Sequence, residues 1–261
     1  MLIDINSHVG HWPFKQLKYN TCSTMLERMN KFGVDLSVVS NLNGVFYKDT
    51  QCANEELFDE LKSNKGFASR FIPFAVLNPS YAGWQNDLQT CTSKMGMKGI
   101  CLYPLYHDYE ITDLRCVELV QRARDLGLIV TFTHRIVDSR QRSWMDLSNE
   151  WTLKDIMPII KKVPDAKYFV VNAANSITVS EDNTKLVKNT NLLFDTSGRI
   201  LTDLGTMIKL YGKDKFAIGT HSPVLDYLGG LLRIESLREN EADEATKQLL
   251  RSGNAKRILG I

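Results

Sequence analysis

The sequence has little excess charge and no apolar run long enough to cross a membrane. Its 261 residues include 32 Lys and Arg and 30 Asp and Glu, a formal net charge of +2. A balance this even does not indicate a surface built for nucleic acid or for an anionic membrane. No apolar stretch approaches the roughly 20 residues that a membrane-spanning helix needs. We therefore expect neither nucleic acid nor a membrane as a partner.

The sequence also lacks paired cysteines and a leader segment. Its five cysteines are an odd number and form no CxxC spacing, which argues against a disulfide framework and a thiolate zinc site. We expect them to be reduced and buried. The first residues, Met1 to Asp4, lead directly into a predicted strand, without a basic segment and an apolar segment before it. Both observations favour a cytoplasmic protein.

No internal repeat, low-complexity tract or Pro/Gly/Ser linker divides the chain. Apolar residues make up 43% and charged residues 24%, which is ordinary for a globular protein with a large core. The length is that of one large domain. We predict a single domain over residues 1–261.

Short apolar runs alternate with helix-period segments along the whole chain, which is typical of parallel strands joined by helices. Eight runs are predicted as strands: residues 2–6, 34–40, 70–77, 99–103, 128–133, 168–172, 192–196 and 216–219. An open doubly wound sheet shares this alternation, but no GxGxxG follows any strand. Eight units in 261 residues favour an α/β protein with a single (β/α)₈ TIM barrel.

Helices are predicted between these strands, several with recognisable ends. Gly33 and Gly127 each stand directly before a strand, where glycine supplies the left-handed residue that ends a helix. The predicted helices cover residues 21–33, 53–64, 81–94, 112–127, 151–162, 180–189, 200–211 and 240–251.

All five histidines follow the ends of predicted strands. They are His8 and His11 after the first strand, His107 after the fourth, His134 after the fifth and His221 after the eighth. TIM barrels build their active sites from the loops at the carboxyl ends of the strands. The histidines therefore predict an active site at this rim.

Three of these histidines are candidates for both catalysis and metal binding. His8, His134 and His221 could together hold zinc or another divalent metal, whose bound water would become the attacking hydroxide. Asp4 could orient His8, or it could instead accept hydrogen bonds from loop amides. A site without metal stays open at this point.

Positively charged side chains near the same loops predict a small anionic substrate. The loop after the fifth strand carries Arg135, Arg140 and Arg142, and guanidinium groups match carboxylates and phosphates. The candidate substrate-binding residues are Asn6, Lys98, His107, Arg135 and Arg140.

Several motifs resemble those of one known family. They are Asp4-x-Asn6-x-His8, Met97-Lys98-Gly99, His134, Phe194-Asp195-Thr-Ser197-Gly198, Gly219-x-His221-x-Pro223 and the closing Asn254-Ala-Lys-Arg257. In this order they resemble the amidohydrolase-2 family of TIM-barrel metal-dependent hydrolases. The resemblance covers nearly the whole chain.

The resemblance implies a hydrolase, or less often a decarboxylase or lactonase, that acts on small carboxylated or cyclic substrates. It also implies a metal held by a His-x-His pair on strand one, histidines on strands five and six, and an aspartate on strand eight. Here Asn6, Asn172 or Ala173, and His221 stand at three of those positions. Only His8 and His134 match the family pattern.

Three functions are consistent with these residues. The first is an amidohydrolase-type enzyme with a modified site, with or without metal, that cleaves an amide, ester or lactone. The second is a metal-free lactonase-like enzyme, with His134 or His221 as general base and Lys98 or an arginine polarising the carbonyl. The third is a barrel that has lost catalysis and binds a small ligand, as a partner subunit. Assembly into a homo-oligomer is left open.

Overall fold

Eight parallel strands form one sheet, in the order of the sequence, in a computed structural model that describes residues 1–137, 143–147, 149–173, 177–197 and 203–261. The strands are β1 (Ile3–Val9), β2 (Leu36–Asn41), β3 (Phe71–Val76), β4 (Gly99–Leu102), β5 (Ile129–Thr133), β6 (Lys167–Val171), β7 (Asn191–Asp195) and β8 (Phe216–Ala217). Each of the eight predicted strands is confirmed, with ends shifted by at most a few residues.

Helices connect the strands. They are α1 (Cys22–Phe32), α2 (Thr50–Lys62), α3 (Trp84–Ser93), α4 (Pro104–His107), α5 (Leu114–Asp125), α6 (Leu153–Lys162), α7 (Glu181–Asn189), α8 (Leu204–Tyr211), α9 (Tyr227–Glu235), α10 (Glu244–Gln248) and α11 (Asn254–Leu259). Short 3₁₀ turns cover Leu42–Val45, Phe67–Ser69 and Lys213–Lys215, and a π-helical turn covers Leu249–Gly253.

The sheet closes between β1 and the chain after β8. The Ile5 amide donates to the Ile218 carbonyl at 2.9 Å, and the His8 amide donates to the Ser222 carbonyl at 2.8 Å. In the other direction the His221 amide donates to the Asn6 carbonyl at 2.7 Å. The closed (β/α)₈ barrel is therefore confirmed over the open sheet, and the closure passes through residues predicted for the site.

The core lies in two layers, one inside the barrel and one between the strands and the helices. Inside the barrel, Phe74 and Phe169 stack with their ring centroids 5.9 Å apart. A β-carbon at Gly99 would lie 2.4 Å from the Phe74 ring, so this position needs glycine. Strands covered on both faces explain the near-continuous apolar runs in the sequence.

The glycine signals at helix ends are confirmed. Gly33 ends α1 with φ 68°, and Gly127 follows α5 with φ 73°. The helix α9 was not predicted, because Gly229 and Gly230 lower helix propensity in its first turns.

Two further findings concern the cysteines and the length of the helices. All five cysteines are free; four are buried, but Cys52 is exposed on α2. In the described part of the chain, every helix is too short or too polar to cross a membrane.

Candidate active site

The site begins at β1, where alternate residues bring Asn6 and His8 to the carboxyl end of the barrel. Both side chains are buried. The pairing of β1 with β2 is irregular between Asp4 and Ser7. His8 Nδ1 lies 2.9 Å from the Ser40 hydroxyl at the end of β2. The neighbouring strand therefore fixes the orientation of the His8 ring.

Asp4 does not orient His8. Its carboxylate accepts hydrogen bonds from the Asn6 amide at 3.0 Å, the Thr220 amide at 3.0 Å and the Thr220 hydroxyl at 2.6 Å. Of the two roles predicted for Asp4, the structure shows the one that binds backbone amides. Burial raises the pKa of Asp4 to about 7, although the Thr220 hydroxyl and the two amides act to lower it.

His8 and His221 face each other across the closure of the barrel. His8 Nε2 and His221 Nδ1 are 3.3 Å apart, and the two rings meet edge to face. The other nitrogen of His221, Nε2, lies 2.6 Å from the carbonyl oxygen of Ile136. His221 thus joins β1 to the segment that follows β5.

One of these contacts determines where a proton lies. A carbonyl oxygen only accepts, so His221 Nε2 carries the proton and donates to Ile136. His221 Nδ1 is then left with a single lone pair, which faces His8 Nε2 at 3.3 Å and the Asn6 amide nitrogen at 3.1 Å and accepts from one of them. The Ser40 hydroxyl can donate to His8 Nδ1 or accept from it, so the tautomer of His8 depends on this contact.

Asn6 connects the two histidines to a buried carboxylate at the end of β7. Its Nδ2 lies 2.7 Å from Asp195 Oδ2 and 3.2 Å from the Ser197 hydroxyl. Ser197 also donates to Asp195, and the Asn172 amide donates to Asp195 at 2.8 Å. Burial is the main cause that raises the pKa of Asp195.

The buried histidines are neutral at neutral pH. Burial lowers the pKa of His221 to about 4, and the nearby Arg135 lowers it further. Burial also lowers the pKa of His8 well below its ordinary value, with His221 as a second cause. Both imidazoles are therefore neutral. We call these two histidines and the side chains connected to them the buried network: His8, His221, Asn6, Asp195, Ser197 and Ser40.

His134 lines a pocket at the carboxyl ends of β4 and β5, and the described lining residues of this pocket do not include His8 or His221. Its cavity volume is about 20 Å³, and the whole space between its lining atoms, open solvent included, is about 470 Å³. Aromatic side chains and two groups of opposite charge contribute to its lining: Tyr103, Tyr106, Trp151, Arg135 and Glu150. Burial lowers the pKa of His134 to about 4, against a hydrogen bond to the backbone of Ala173 that raises it.

Two contacts hold Arg135 in this pocket, one to its guanidinium group and one to its backbone carbonyl. Its Nη1 lies 3.0 Å from Glu150 Oε1, and the side chain is only 8% exposed, against 40% for Glu150. Asn172, in a left-handed conformation with φ 52°, donates from Nδ2 to the Arg135 carbonyl at 2.6 Å. With His221 bound to Ile136, residues 135 and 136 are fixed from two sides.

The other predicted site residues lie elsewhere. Lys98 directly precedes β4 and is exposed at the amino end of this strand, so the structure does not bring it together with the other predicted site residues at the carboxyl end. His107 lies at the rim, in α4, but its Nε2 contacts the Gly44 carbonyl at 3.0 Å, and it is not among the pocket's lining residues. Arg140, like Arg142, lies outside the described residues.

The arrangement of these residues does not fit the metal that the family resemblance implies. The Asn6 amide nitrogen, a donor, lies 3.1 Å from His221 Nδ1, the nitrogen that would face an ion shared with His8. His134 belongs to the pocket. Among the described residues, no group of three or more His, Cys, Asp or Glu side chains is arranged to hold a metal ion.

Several residues that contribute to the site were not predicted from the sequence. Ser40 carries a weak signal, because it is a polar residue at the end of an apolar strand. The Ile136 carbonyl, Glu150 and Trp151 carry none, because their roles depend on contacts between residues that are distant in the sequence. Trp151 donates its amide to the His134 carbonyl at 2.9 Å, which places Glu150 and Trp151 at the pocket.

Comparison with known proteins shows similarity in structure alone. No protein-family model and no curated protein matches the sequence. The fold matches a 2,6-dihydroxybenzoate decarboxylase from Rhizobium, with TM-score 0.74, 14% identity and coverage of 99% of this chain and 98% of that one. It also matches an amidohydrolase II structure, with TM-score 0.75, 15% identity and full coverage of both chains.

A third match was solved with a metal ion. It is a dihydroxybenzoic acid decarboxylase from Polaromonas sp. JS666 with bound manganese and the inhibitor 2-nitroresorcinol, at TM-score 0.73, 14% identity and coverage of 99% and 96%. At 14–15% identity these matches show the fold alone, and the TIM barrel that the resemblance implied is confirmed.

Proposed function

We propose that this protein is a hydrolase for a small, planar, negatively charged molecule, with His134 as general base and Arg135 as the anchor of the anionic group. One observation carries the proposal: the pocket brings His134 and Arg135 together between aromatic side chains at the catalytic rim of the barrel. The similar structures support an enzyme of the amidohydrolase type. No step is assigned to a metal ion, because the donor set does not fit one.

Arg135 supplies the charge that would select an anion. Its present partner, Glu150, is 40% exposed, so the carboxylate can exchange into water and leave the guanidinium to a substrate anion. A carboxylate on the substrate can therefore replace Glu150 and form the two parallel hydrogen bonds that a guanidinium offers. Tyr103, Tyr106 and Trp151 then provide apolar walls for a planar ring.

His134 can carry the proton transfers of hydrolysis. As a neutral imidazole it accepts a proton from a water molecule while the water oxygen attacks the substrate carbonyl carbon. The carbon–oxygen or carbon–nitrogen bond of the ester, lactone or amide then breaks. The same proton passes from His134 to the leaving oxygen or nitrogen, so the imidazole returns to its neutral form.

The buried network contacts residues that line this pocket. Ile136 lines the pocket, and its carbonyl is bound by His221. Tyr103 lines the pocket on the side of β4 and lies beside Ser40, which binds His8. Because its atoms are engaged with one another, the network positions pocket residues and does not contact the substrate. His8 and His221 are therefore positioning residues in this proposal.

The names of the similar structures favour an aromatic carboxylate within this substrate class. Two of them are decarboxylases of dihydroxybenzoic acids. Hydrolysis remains the proposed reaction, because His134 can transfer protons between water and a leaving group. A barrel that only binds such a molecule is the alternative, supported by the engaged nitrogens of His8 and His221.

A substrate screen tests the proposal. Protein dialysed against a chelator is assayed with aromatic and cyclic carboxylates that carry an ester, lactone or amide, with 2,6-dihydroxybenzoate added to detect decarboxylation. We expect hydrolysis that is not raised by added manganese or zinc. Arg135→Gln should increase KM by about tenfold or more, because a charge-assisted hydrogen bond is lost.

Each other outcome contradicts a specific part of the proposal. Turnover only after metal is added would contradict the metal-independent site. Release of carbon dioxide without hydrolysis would contradict the proposed reaction but not the proposed pocket. Binding of these carboxylates without turnover would favour the ligand-binding alternative. An unchanged KM in Arg135→Gln would remove Arg135 from substrate binding.

A further inference from the structure

Two buried residues at the rim have a left-handed backbone although neither is glycine. Asn172 has φ 52° and His221 has φ 55°, and both residues are buried. This conformation costs free energy in any residue with a β-carbon, and it persists where surrounding contacts impose it. The other described non-glycine residues with positive φ, Tyr19 and Asp108, are exposed. The buried pair therefore indicates a constraint that the site imposes.

Asn172 and His221 hold two consecutive carbonyl groups of the chain directly after β5. Asn172 Nδ2 donates to the Arg135 carbonyl at 2.6 Å. His221 Nε2 donates to the Ile136 carbonyl at 2.6 Å. Both carbonyls belong to residues that line the pocket of His134. The two left-handed residues therefore fix the backbone of one wall of this pocket.

The end of β6 also contacts His134, through the residues on either side of Asn172. The His134 amide donates to the Val171 carbonyl at 3.0 Å, and the His134 ring is hydrogen-bonded to the backbone of Ala173. Asn172 lies between these two residues in the sequence. Its left-handed turn therefore determines how the Ala173 backbone meets the His134 ring.

Asn172 has this conformation at a local cost. Its amide donates to Asp195 Oδ1 at 2.8 Å, which holds the turn in place. Its Oδ1, however, is buried and has no hydrogen-bond partner among the described residues. A buried acceptor without a partner destabilises a fold, as does a left-handed asparagine. The bond from Nδ2 to Arg135 is the gain that accompanies both costs.

The structure assigns Asn172 as a positioning residue for the pocket, and this inference rests on the proposed function of Arg135 and His134. Asn172 is not among the described residues that line the pocket. Its amide fixes the backbone of Arg135, the proposed anchor of the anion, and its turn presents Ala173 to His134. A guanidinium group on a fixed backbone loses less freedom when an anion binds, so the contact favours anion binding.

Replacement of Asn172 by glycine separates the role of its side chain from that of its backbone. Glycine adopts φ 52° without strain, so Asn172→Gly keeps the turn and removes only the bond to Arg135. We expect the Kd for benzoate, measured by isothermal titration, to rise about fivefold, because Arg135 must then be ordered on binding. On the best substrate of the screen, KM should rise by a similar factor while kcat stays within about twofold.

Asp108→Gly is the matched control. Asp108 has the same φ of 52°, but it is exposed and follows α4. Its replacement should leave the Kd for benzoate and the KM within about twofold of the wild-type values.

Hydrogen exchange distinguishes failure of this inference from failure of the proposed function, because it needs no ligand. Amides of residues 135–137 should exchange at least about fivefold faster in Asn172→Gly than in wild type, and at the wild-type rate in Asp108→Gly. Absence of benzoate binding by wild type would contradict the proposed anchor, and exchange alone would then decide the role of Asn172.

Three results would overturn the positioning role. They are unchanged exchange at residues 135–137, a Kd for benzoate that rises no more than in Asp108→Gly, and a loss of kcat without a change in KM. If Asn172→Gly does not fold by circular dichroism, Asn172→Asp decides. Aspartate has the shape of asparagine and tolerates a left-handed backbone, but its carboxylate cannot donate to the Arg135 carbonyl. Unchanged benzoate affinity in Asn172→Asp would overturn the role.

Discussion

Each of the three buried histidines at the rim has a fixed hydrogen-bond partner. His8 contacts Ser40, His221 contacts the Ile136 carbonyl, and His134 binds the backbone of Ala173. Because burial disfavours the imidazolium form, all three hold their neutral form at neutral pH. This state suits His134 as a proton acceptor.

The burial of His134 predicts a pH dependence of stability. Its folded pKa of about 4 lies below the ordinary value of 6.5, so the unfolded chain binds the proton more tightly. The resulting stability is present above the unfolded pKa and is lost as pH falls through the folded pKa. His134→Gln should remove up to about 3 kcal/mol of the loss in unfolding free energy over this range.

Urea denaturation at several pH values measures the difference between the two proteins. Asp4 contributes to the pH dependence of the unfolding free energy with the opposite sign. Burial raises its pKa to about 7, so its contribution is lost as pH rises. It is present in both proteins and cancels in the comparison. Parallel pH profiles for wild type and His134→Gln would show that His134 is not buried in its neutral form.

The residue types at the rim could be predicted from the sequence, but their pairings could not. Alternation along β1 places Asn6 and His8 at the strand end. The hydrogen bond from His221 to the Ile136 carbonyl depends on contacts between distant parts of the chain. Such contacts follow from packing, which a single sequence does not show.

Among the elements, α9 shows how tertiary contact overrides local preference. Gly230 packs against β8's end, where a β-carbon would lie 2.2 Å from the Gly219 carbonyl oxygen. Gly229 is its neighbour in the same helix and has no atom within 4 Å of such a β-carbon. The two glycines therefore have different reasons to be there.

This contrast predicts opposite effects of the same substitution. Gly230→Ala should lower the free energy of unfolding by about 2 to 3 kcal/mol, because the helix must move away from the strand. Gly229→Ala should raise it by about 0.5 to 1 kcal/mol, because alanine favours a helix. Urea denaturation measures both, and equal effects would show that α9 does not pack as described.

The pattern of strands and helices could be predicted because it depends on local periodicity. Long runs such as 128–133 and glycine ends such as Gly33 and Gly127 carry their signal within a few residues. The unpredicted α9 lacks such a signal, since two glycines interrupt it. Residues 149–151 carry no periodic signal, and their position at the pocket was equally unpredictable.

At the scale of the whole molecule, the barrel closes through a side chain as well as through backbone. The strand β8 has only two residues, and Asp4 of β1 accepts from the Thr220 amide and hydroxyl just beyond it. The same carboxylate accepts from the Asn6 amide. The closure and the buried network therefore depend on each other.

Removal of this carboxylate should open the closure. Asp4→Ala leaves several buried donors without a partner and should cost about 3 to 5 kcal/mol of unfolding free energy, with faster hydrogen exchange at the Thr220 amide. Asp35→Ala is the control, since Asp35 also accepts from a backbone amide, that of Leu2, but is exposed. A loss no larger for Asp4→Ala than for Asp35→Ala would contradict this account of the closure.

The central claim is that the pocket of His134 is the catalytic site of the barrel. The most direct measurement compares kcat/KM of His134→Gln with that of His11→Gln, an exposed histidine at the same rim, on the best substrate of the screen. We expect a loss of about 10² to 10⁴-fold for His134→Gln and no significant loss for His11→Gln. Equal activity in both variants would contradict it.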